Sequence, residues 1–178
     1  MRANRVIKFL LAGSLLIGGV TAPLPTISSQ QADTVQAASK KIVIQSNKSV
    51  KKAIKKYAKD VKVKSVQGSF IGQDDTVQIT LKGKENLTDK MTVKGMYIDI
   101  SNVWKALRKT DLSHMSNIGV SVKYPLQDQA GNSTSSYVIK SDISPDKINA
   151  INPDNFLFKN VPTYADNWWQ HSALPAID

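Results

Sequence analysis

The sequence predicts an α+β domain with an antiparallel sheet of about four strands, and the spacing of its apolar residues is the reason. Residues 47–60 and 88–109 repeat apolar side chains at the intervals of a helix with one buried face. Residues 61–82 and 118–143 each contain two alternating stretches around a turn, which is typical of a β-hairpin with one solvated face. Proline-marked segments after residue 144 predict short C-terminal helices.

Both long helices have recognisable ends. Asn47 is the predicted N-cap of an N-terminal amphipathic helix that runs to about Asp60. Thr88 or Asp89 caps the central helix, which reaches about Lys109, where basic residues suit the helix dipole. The buried stripe of the first helix consists of Val50, Ala53, Ile54, Tyr57, Ala58 and Val61.

The two hairpins are predicted from alternation and turn residues. Residues 72–75 read as the first turn, after which Val77 and the apolar residues at every second position point inward. A change of phase near Ser65 or Gly68 predicts a β-bulge before that turn. The second hairpin turns at residues 128–132.

The N-terminus has the composition of a secretory signal. Three basic side chains precede an apolar run at residues 9–20, which is too short to cross a membrane comfortably. Residues 35–37 satisfy the small-x-small rule for cleavage. We therefore expect a signal peptide over residues 1–38 and a single secreted domain over residues 39–178, monomeric, without a transmembrane span, and released or held non-covalently at the cell wall.

The composition excludes several kinds of functional site. The chain has no cysteine, which excludes disulfides, thiolate metal sites and a cysteine nucleophile. The two histidines, His114 and His171, belong to no metal-ligand spacing, and we expect no metal and no cofactor. The residues left for a hydrolytic alternative are His171 and the adjacent carboxylates Asp74 and Asp75, which are also typical turn formers.

Positive charge is concentrated in one segment. Of the net charge of +10, residues 40–64 contribute +9 and residues 1–39 contribute +2, whereas residues 65–178 carry −1. At 100° per residue the lysines of the first helix fall on the arc opposite its apolar stripe. We call this set the lysine face: Lys48, Lys51, Lys52, Lys55, Lys56 and Lys59.

The lysine face is the strongest functional signal in the sequence. It predicts binding to an anionic cell-envelope polymer or a membrane surface, and the alternative is a solubilising face without a partner. Nucleic acid is disfavoured because the chain is exported and no aromatic residues are interleaved with the lysines.

Two adjacent tryptophans offer a second interpretation. Trp168 and Trp169 lie in a predicted short helix at residues 163–170. They could stack on the sugar rings of a glycan, or they could hold the C-terminus against the core.

Several motifs resemble a known family. They are Asn86-Leu87-Thr88, Lys94-Gly95-Met96, the turn at residues 128–132, Ile148-Asn149 and the segment 165–174. The chain resembles secreted or lipid-anchored domains of low-GC Gram-positive bacteria, some carried by prophages, whose function is not established. The resemblance implies export and carries over no functional residue, and this chain lacks the lipid-anchor cysteine.

Together these observations predict a secreted, non-enzymatic, envelope-associated binding domain held electrostatically through the lysine face. Two alternatives stay open: a cell-envelope hydrolase or processing enzyme, and a prophage-associated factor acting at the cell surface.

Overall fold

The computed structural model describes residues 40–177, so the predicted signal peptide over residues 1–38 lies outside the described residues. The described part of the chain has the predicted α+β class, with helices and one five-stranded sheet. In chain order the elements are α1 (Asn47–Tyr57), β1 (Val63–Ser69), β2 (Asp75–Lys82), α2 (Asp89–Leu107), β3 (Met115–Gln127), β4 (Ser133–Ile143), α3 (Pro145–Ala150), a 3-10 helix (Phe158–Asn160), α4 (Val161–Tyr164) and β5 (Asn167–Gln170).

The sheet is mixed, with the strand order β1-β2-β3-β4-β5. The two predicted hairpins, β1–β2 and β3–β4, are antiparallel as expected, but β2 and β3 run parallel. The reason is α2, whose 19 residues extend about 28 Å. The eight-residue strand β2 is roughly 26 Å long, so α2 is long enough to carry the chain back past the whole of it. As a result β3 starts at the same end of the sheet as β2 and runs parallel to it.

A fifth strand replaces part of a predicted helix. Residues 163–170 were expected to be helical, but α4 ends at Tyr164 and Ala165 is extended, with ψ 153°. The Asp166 N–H then donates to the carbonyl of Asp142, which starts the antiparallel pairing of β5 with β4. Hydrogen bonding to the free edge of β4 therefore determines the conformation of residues 167–170, although their aromatic residues are spaced as in a helix.

The N-cap of α1 is Ser46, and the prediction of Asn47 is wrong. Ser46 Oγ accepts from the Ser49 N–H at 3.1 Å, and Ser49 Oγ accepts from the Ser46 N–H at 3.1 Å, which forms a capping box. The helix ends at Tyr57, before the predicted Asp60. For α2, Thr88, one of the two predicted caps, is confirmed, and the helix ends at Leu107, two residues before the predicted Lys109.

The helices cover one side of the sheet. Apolar side chains from α1, α2 and the inward positions of the strands form one contiguous buried cluster. Trp104 is fully buried in it and lies against Phe156 and Tyr164, with ring centroids 6.2 and 6.4 Å away. This packing holds the C-terminal segment on the same core as α2.

The other side of the sheet bears polar residues. On β2, the outward positions are Thr76, Gln78, Thr80 and Lys82. We call the sheet face that bears them the open face, because Thr76, Gln78 and Lys82 are exposed whereas the apolar residues between them are at most 4% exposed. The β1 strand contains a register shift between Val63 and Ser65, which confirms a predicted position of the bulge.

The capping box makes a prediction about stability. Ser46→Ala removes an acceptor for an otherwise unpaired helix N–H, so the free energy of unfolding should fall by about 1 kcal/mol. Ser172→Ala, at an exposed position outside the helices and strands, serves as the control and should change it little. Urea denaturation checks both, and equal losses would contradict the role of the cap.

A second prediction concerns acid stability. Lys147 Nζ lies 2.7 Å from Asp166 Oδ1, and this hydrogen bond and the Ser144 N–H hold the pKa of Asp166 below its ordinary value. A lowered carboxylate pKa in the folded state stabilises the fold above the unfolded pKa of about 4, and the gain is lost as the pH falls through the folded value.

Asp166→Asn should therefore lower stability at pH 7 and flatten its decline in acid. Asp154→Asn is the control, since the Asp154 carboxylate is exposed and, within the described residues, forms no ion pair. Denaturation curves from neutral pH to pH 2 measure the effect. An unchanged slope in Asp166→Asn would contradict it.

Candidate functional site

The lysine face projects from a helix whose other face is fixed on the core. Val50, Ala53 and Ile54 of α1 are at most 1% exposed. All six lysines of the lysine face are exposed, but Lys59 lies in the turn after α1 and not on the helix as predicted. Because the apolar stripe cannot turn outward without losing its burial, the ammonium groups of the other five are presented together on one side of a fixed helix.

The charge of this face is not neutralised within the fold. Two ion pairs join described residues, Lys84 with Asp99 at 3.5 Å and Lys147 with Asp166 at 2.7 Å. Neither includes a lysine of α1, and the first turn of α1 contains no acid. Lys48 lies in this first turn, so no nearby acid offsets the unfavourable interaction of its charge with the helix dipole.

The basic surface continues from α1 onto the end of α2. The Tyr57 ring has Lys56 Nζ 4.9 Å and Lys109 Nζ 5.5 Å from its centroid. Sequence reasoning assigned Lys109 only to the C-terminal turn of the central helix. Its place beside α1 depends on helix packing, for which the sequence carries no local signal.

A polar hollow lies beside this surface. It has a volume of about 560 Å³ and is lined by Lys41, Arg108, Thr110, Asp111, Leu112, Ser113 and Asn149. Hydrogen bonding from Ser113 lowers the pKa of Asp111, so its carboxylate stays charged at neutral pH. Arg108 is also engaged, donating from Nε to the carbonyl of Asn149 at 3.3 Å. The hollow is therefore of mixed charge, whereas the lysine face is uniformly basic.

The two tryptophans separate onto opposite sides of the sheet. Trp168 packs edge-on against Tyr97 with ring centroids 5.2 Å apart, on the helical side. Trp169 lies opposite Lys140 in the β4–β5 register and is 44% exposed. The sequence left both glycan stacking and a clasping role open for the pair, whereas the structure packs Trp168 against the core and leaves Trp169 exposed.

The residues of the hydrolytic alternative are engaged locally. Asp75 is 1% exposed, and its Oδ1 accepts from the N–H groups of Ile71 and Gly72 at 2.7 and 2.9 Å. Asp74 has a positive φ of 53°, as turn residues do. His171 Nδ1 accepts from the Ala173 N–H at 3.1 Å. These contacts give both His171 and the Asp74–Asp75 pair local structural roles.

His114 is brought close to Asp75 by the parallel pairing of β2 and β3. The contact is between main-chain groups, since the Asp75 N–H donates to the His114 carbonyl at 2.8 Å. Among residues 40–177, no cluster of three or more histidine or carboxylate side chains could hold a metal ion.

No helix in the described range, residues 40–177, is both long enough and apolar enough to span a bilayer. Comparison with protein-family models, curated protein sequences and solved structures found no match to this chain.

Proposed function

We propose that this protein is a secreted, non-enzymatic domain that attaches reversibly to the anionic cell envelope through the lysine face of α1. The observation that carries the proposal is the set of six exposed lysines without an ion-pair partner among the described residues. The proposed attachment is to negatively charged groups of an envelope polymer or of lipid head groups.

The magnitude of the attraction suits reversible attachment. Each lysine near an anionic surface contributes up to about 1 kcal/mol, and the attraction falls off over a Debye length of about 8 Å at physiological salt. Six lysines on one rigid face give a few kcal/mol in total after partial screening. Such binding retains the protein near the surface and releases it when salt rises.

Attachment through α1 is electrostatic and does not require insertion of α1 into a bilayer. An interfacial helix inserts with its apolar face, but the apolar face of α1 is already buried against the core. Within residues 40–177, the large exposed apolar side chains all lie outside α1. Charge alone is therefore available to this helix at the envelope.

Charge reversal on the lysine face tests the proposal. Lys51 and Lys55 are neighbours at i and i+4 on α1, and Lys59 lies in the turn that follows the helix. Their replacement by Glu should weaken binding to phosphatidylglycerol vesicles and to envelope fractions by at least about tenfold. Wild-type binding should also fall as salt rises from about 0.05 M to about 0.5 M. Co-sedimentation measures both effects.

The matched control reverses three exposed lysines elsewhere. Lys90, Lys94 and Lys159 replaced by Glu give the same net charge, and binding should be kept within a few fold because the surface is different. If the two triple variants lose binding equally, net charge and not the lysine face is responsible. The vesicle and envelope arms distinguish lipid head groups from envelope polymer as the source of the anionic groups.

Stability and binding should respond in opposite directions at the start of α1. Lys48→Glu places an anion in the first turn, so the free energy of unfolding should rise by a few tenths of a kcal/mol while vesicle binding weakens. Lys56→Glu in the last turn should weaken both. Denaturation and co-sedimentation on the same samples check the signs, and a Lys48→Glu protein of lower stability would contradict the dipole argument.

A further inference from the structure

The open face carries a second group of basic residues, unrelated to the lysine face. In the parallel register of β2 and β3, Lys82 lies beside Lys123. Lys62 and Lys64 join them around a hollow of about 410 Å³. Neither recorded ion pair includes these four lysines, so within the described residues the charge of this hollow is also unpaired.

Two exposed aromatic rings continue this surface across β4 and β5. Tyr137 lies opposite Lys123, and Trp169 lies opposite Lys140. The rings are 39% and 44% exposed. Both belong to the few large hydrophobic side chains that the described residues leave in solvent, although apolar residues on the other side of the same strands are buried.

Rings and charges alternate along this surface. Lys123 Nζ is 4.3 Å from the Tyr137 ring centroid, and Lys140 Nζ is 5.6 Å from the Tyr137 centroid and 5.3 Å from the Trp169 centroid. The order is therefore ammonium, ring, ammonium, ring across three strands. Cation–π contacts of this kind order the lysine side chains before a ligand arrives.

The surroundings of the row are hydrogen-bonding groups. Gln78 Nε2 donates to Ser121 Oγ at 2.6 Å, and the Asp142 side chain lies on the same face in register with Gly119. Ser121 is only 4% exposed, so the groups within reach of a sugar hydroxyl are the exposed amide of Gln78 and the carboxylate of Asp142, which accepts from hydroxyl groups. A face of this composition suits a ligand rich in hydroxyl groups.

We infer that the open face binds an acidic glycan, a polymer whose sugar units carry carboxylate or phosphate groups. The apolar face of a sugar would rest on Tyr137 or Trp169, while its anionic groups would pair with Lys123 and Lys140. A neutral glycan would leave the ammonium groups unused. In single-stranded nucleic acid the phosphates follow one groove and the bases stack beside it, whereas here charges and rings alternate in one row.

This site is independent of the proposed function. The lysine face belongs to the helical side of the sheet, and the row lies on the open face. Substitutions can therefore fail or succeed separately at the two surfaces, and a negative result at one leaves the other to be judged on its own measurements.

The test measures binding of short hyaluronan oligosaccharides, with neutral chitin oligosaccharides as the uncharged match. Trp169→Ala and Tyr137→Ala should each weaken hyaluronan binding by about tenfold, and Lys140→Gln, which keeps both rings, should weaken it severalfold. The α1 variant with Glu at positions 51, 55 and 59 should keep most of the hyaluronan binding. Titration calorimetry gives the affinities, and thermal melts verify folding.

Binding results other than these overturn the inference or change the assigned ligand. Hyaluronan binding unchanged in Trp169→Ala and Lys140→Gln, or lost only in the α1 variant, overturns the inference. A poly(dT) oligonucleotide that binds more tightly than hyaluronan and depends on Trp169 overturns it in favour of nucleic acid. Chitin binding as tight as hyaluronan binding removes the acidic part of the assignment. If the Trp169→Ala protein does not fold, the hyaluronan affinities of Lys140→Gln and Tyr137→Ala decide whether the inference holds.

Discussion

The packing of α2 across one side of the sheet is the constraint on which the other features depend. Because this helix carries the chain from the end of β2 back to the start of β3, it joins two local hairpins into one mixed sheet. It also buries Trp104 and the inward side chains of the strands. α1 packs beside α2 with its lysines exposed, and the open face of the sheet bears the outward polar side chains of the strands.

The lysine face lowers the stability of α1, and the residues that stabilise this helix are different ones. A helix with lysine in its first turn and no compensating acid is less stable than one with the reverse arrangement. The capping box at Ser46 and Ser49 and the burial of Val50 and Ile54 stabilise α1 instead. The sites of stabilisation and of charge thus occupy different residues of one helix, which allows each to vary without the other.

Sequence reasoning succeeded where the signal was local. The apolar stripe of α1, the cap at Thr88 and both hairpins follow from patterns within a few residues. The parallel pairing of β2 with β3 was missed because it depends on the path of a 19-residue helix between them. β5 was missed because pairing with the edge of β4 overrode a helical spacing. Two features depend on tertiary packing: the position of Lys109 beside Tyr57 and the row from Lys123 to Trp169. The alternation of outward residues along the strands predicts only part of that row.

The bulge in β1 bears on whether strands of neighbouring molecules can pair. An exposed edge strand can pair with the same strand of a neighbouring molecule, and crowding raises the chance of such pairing. β1 is an edge of this sheet, and its register shift leaves Lys64 unpaired there. At the other edge, β5 has only four residues. A charged irregular edge and a short one both resist the addition of a strand from another molecule.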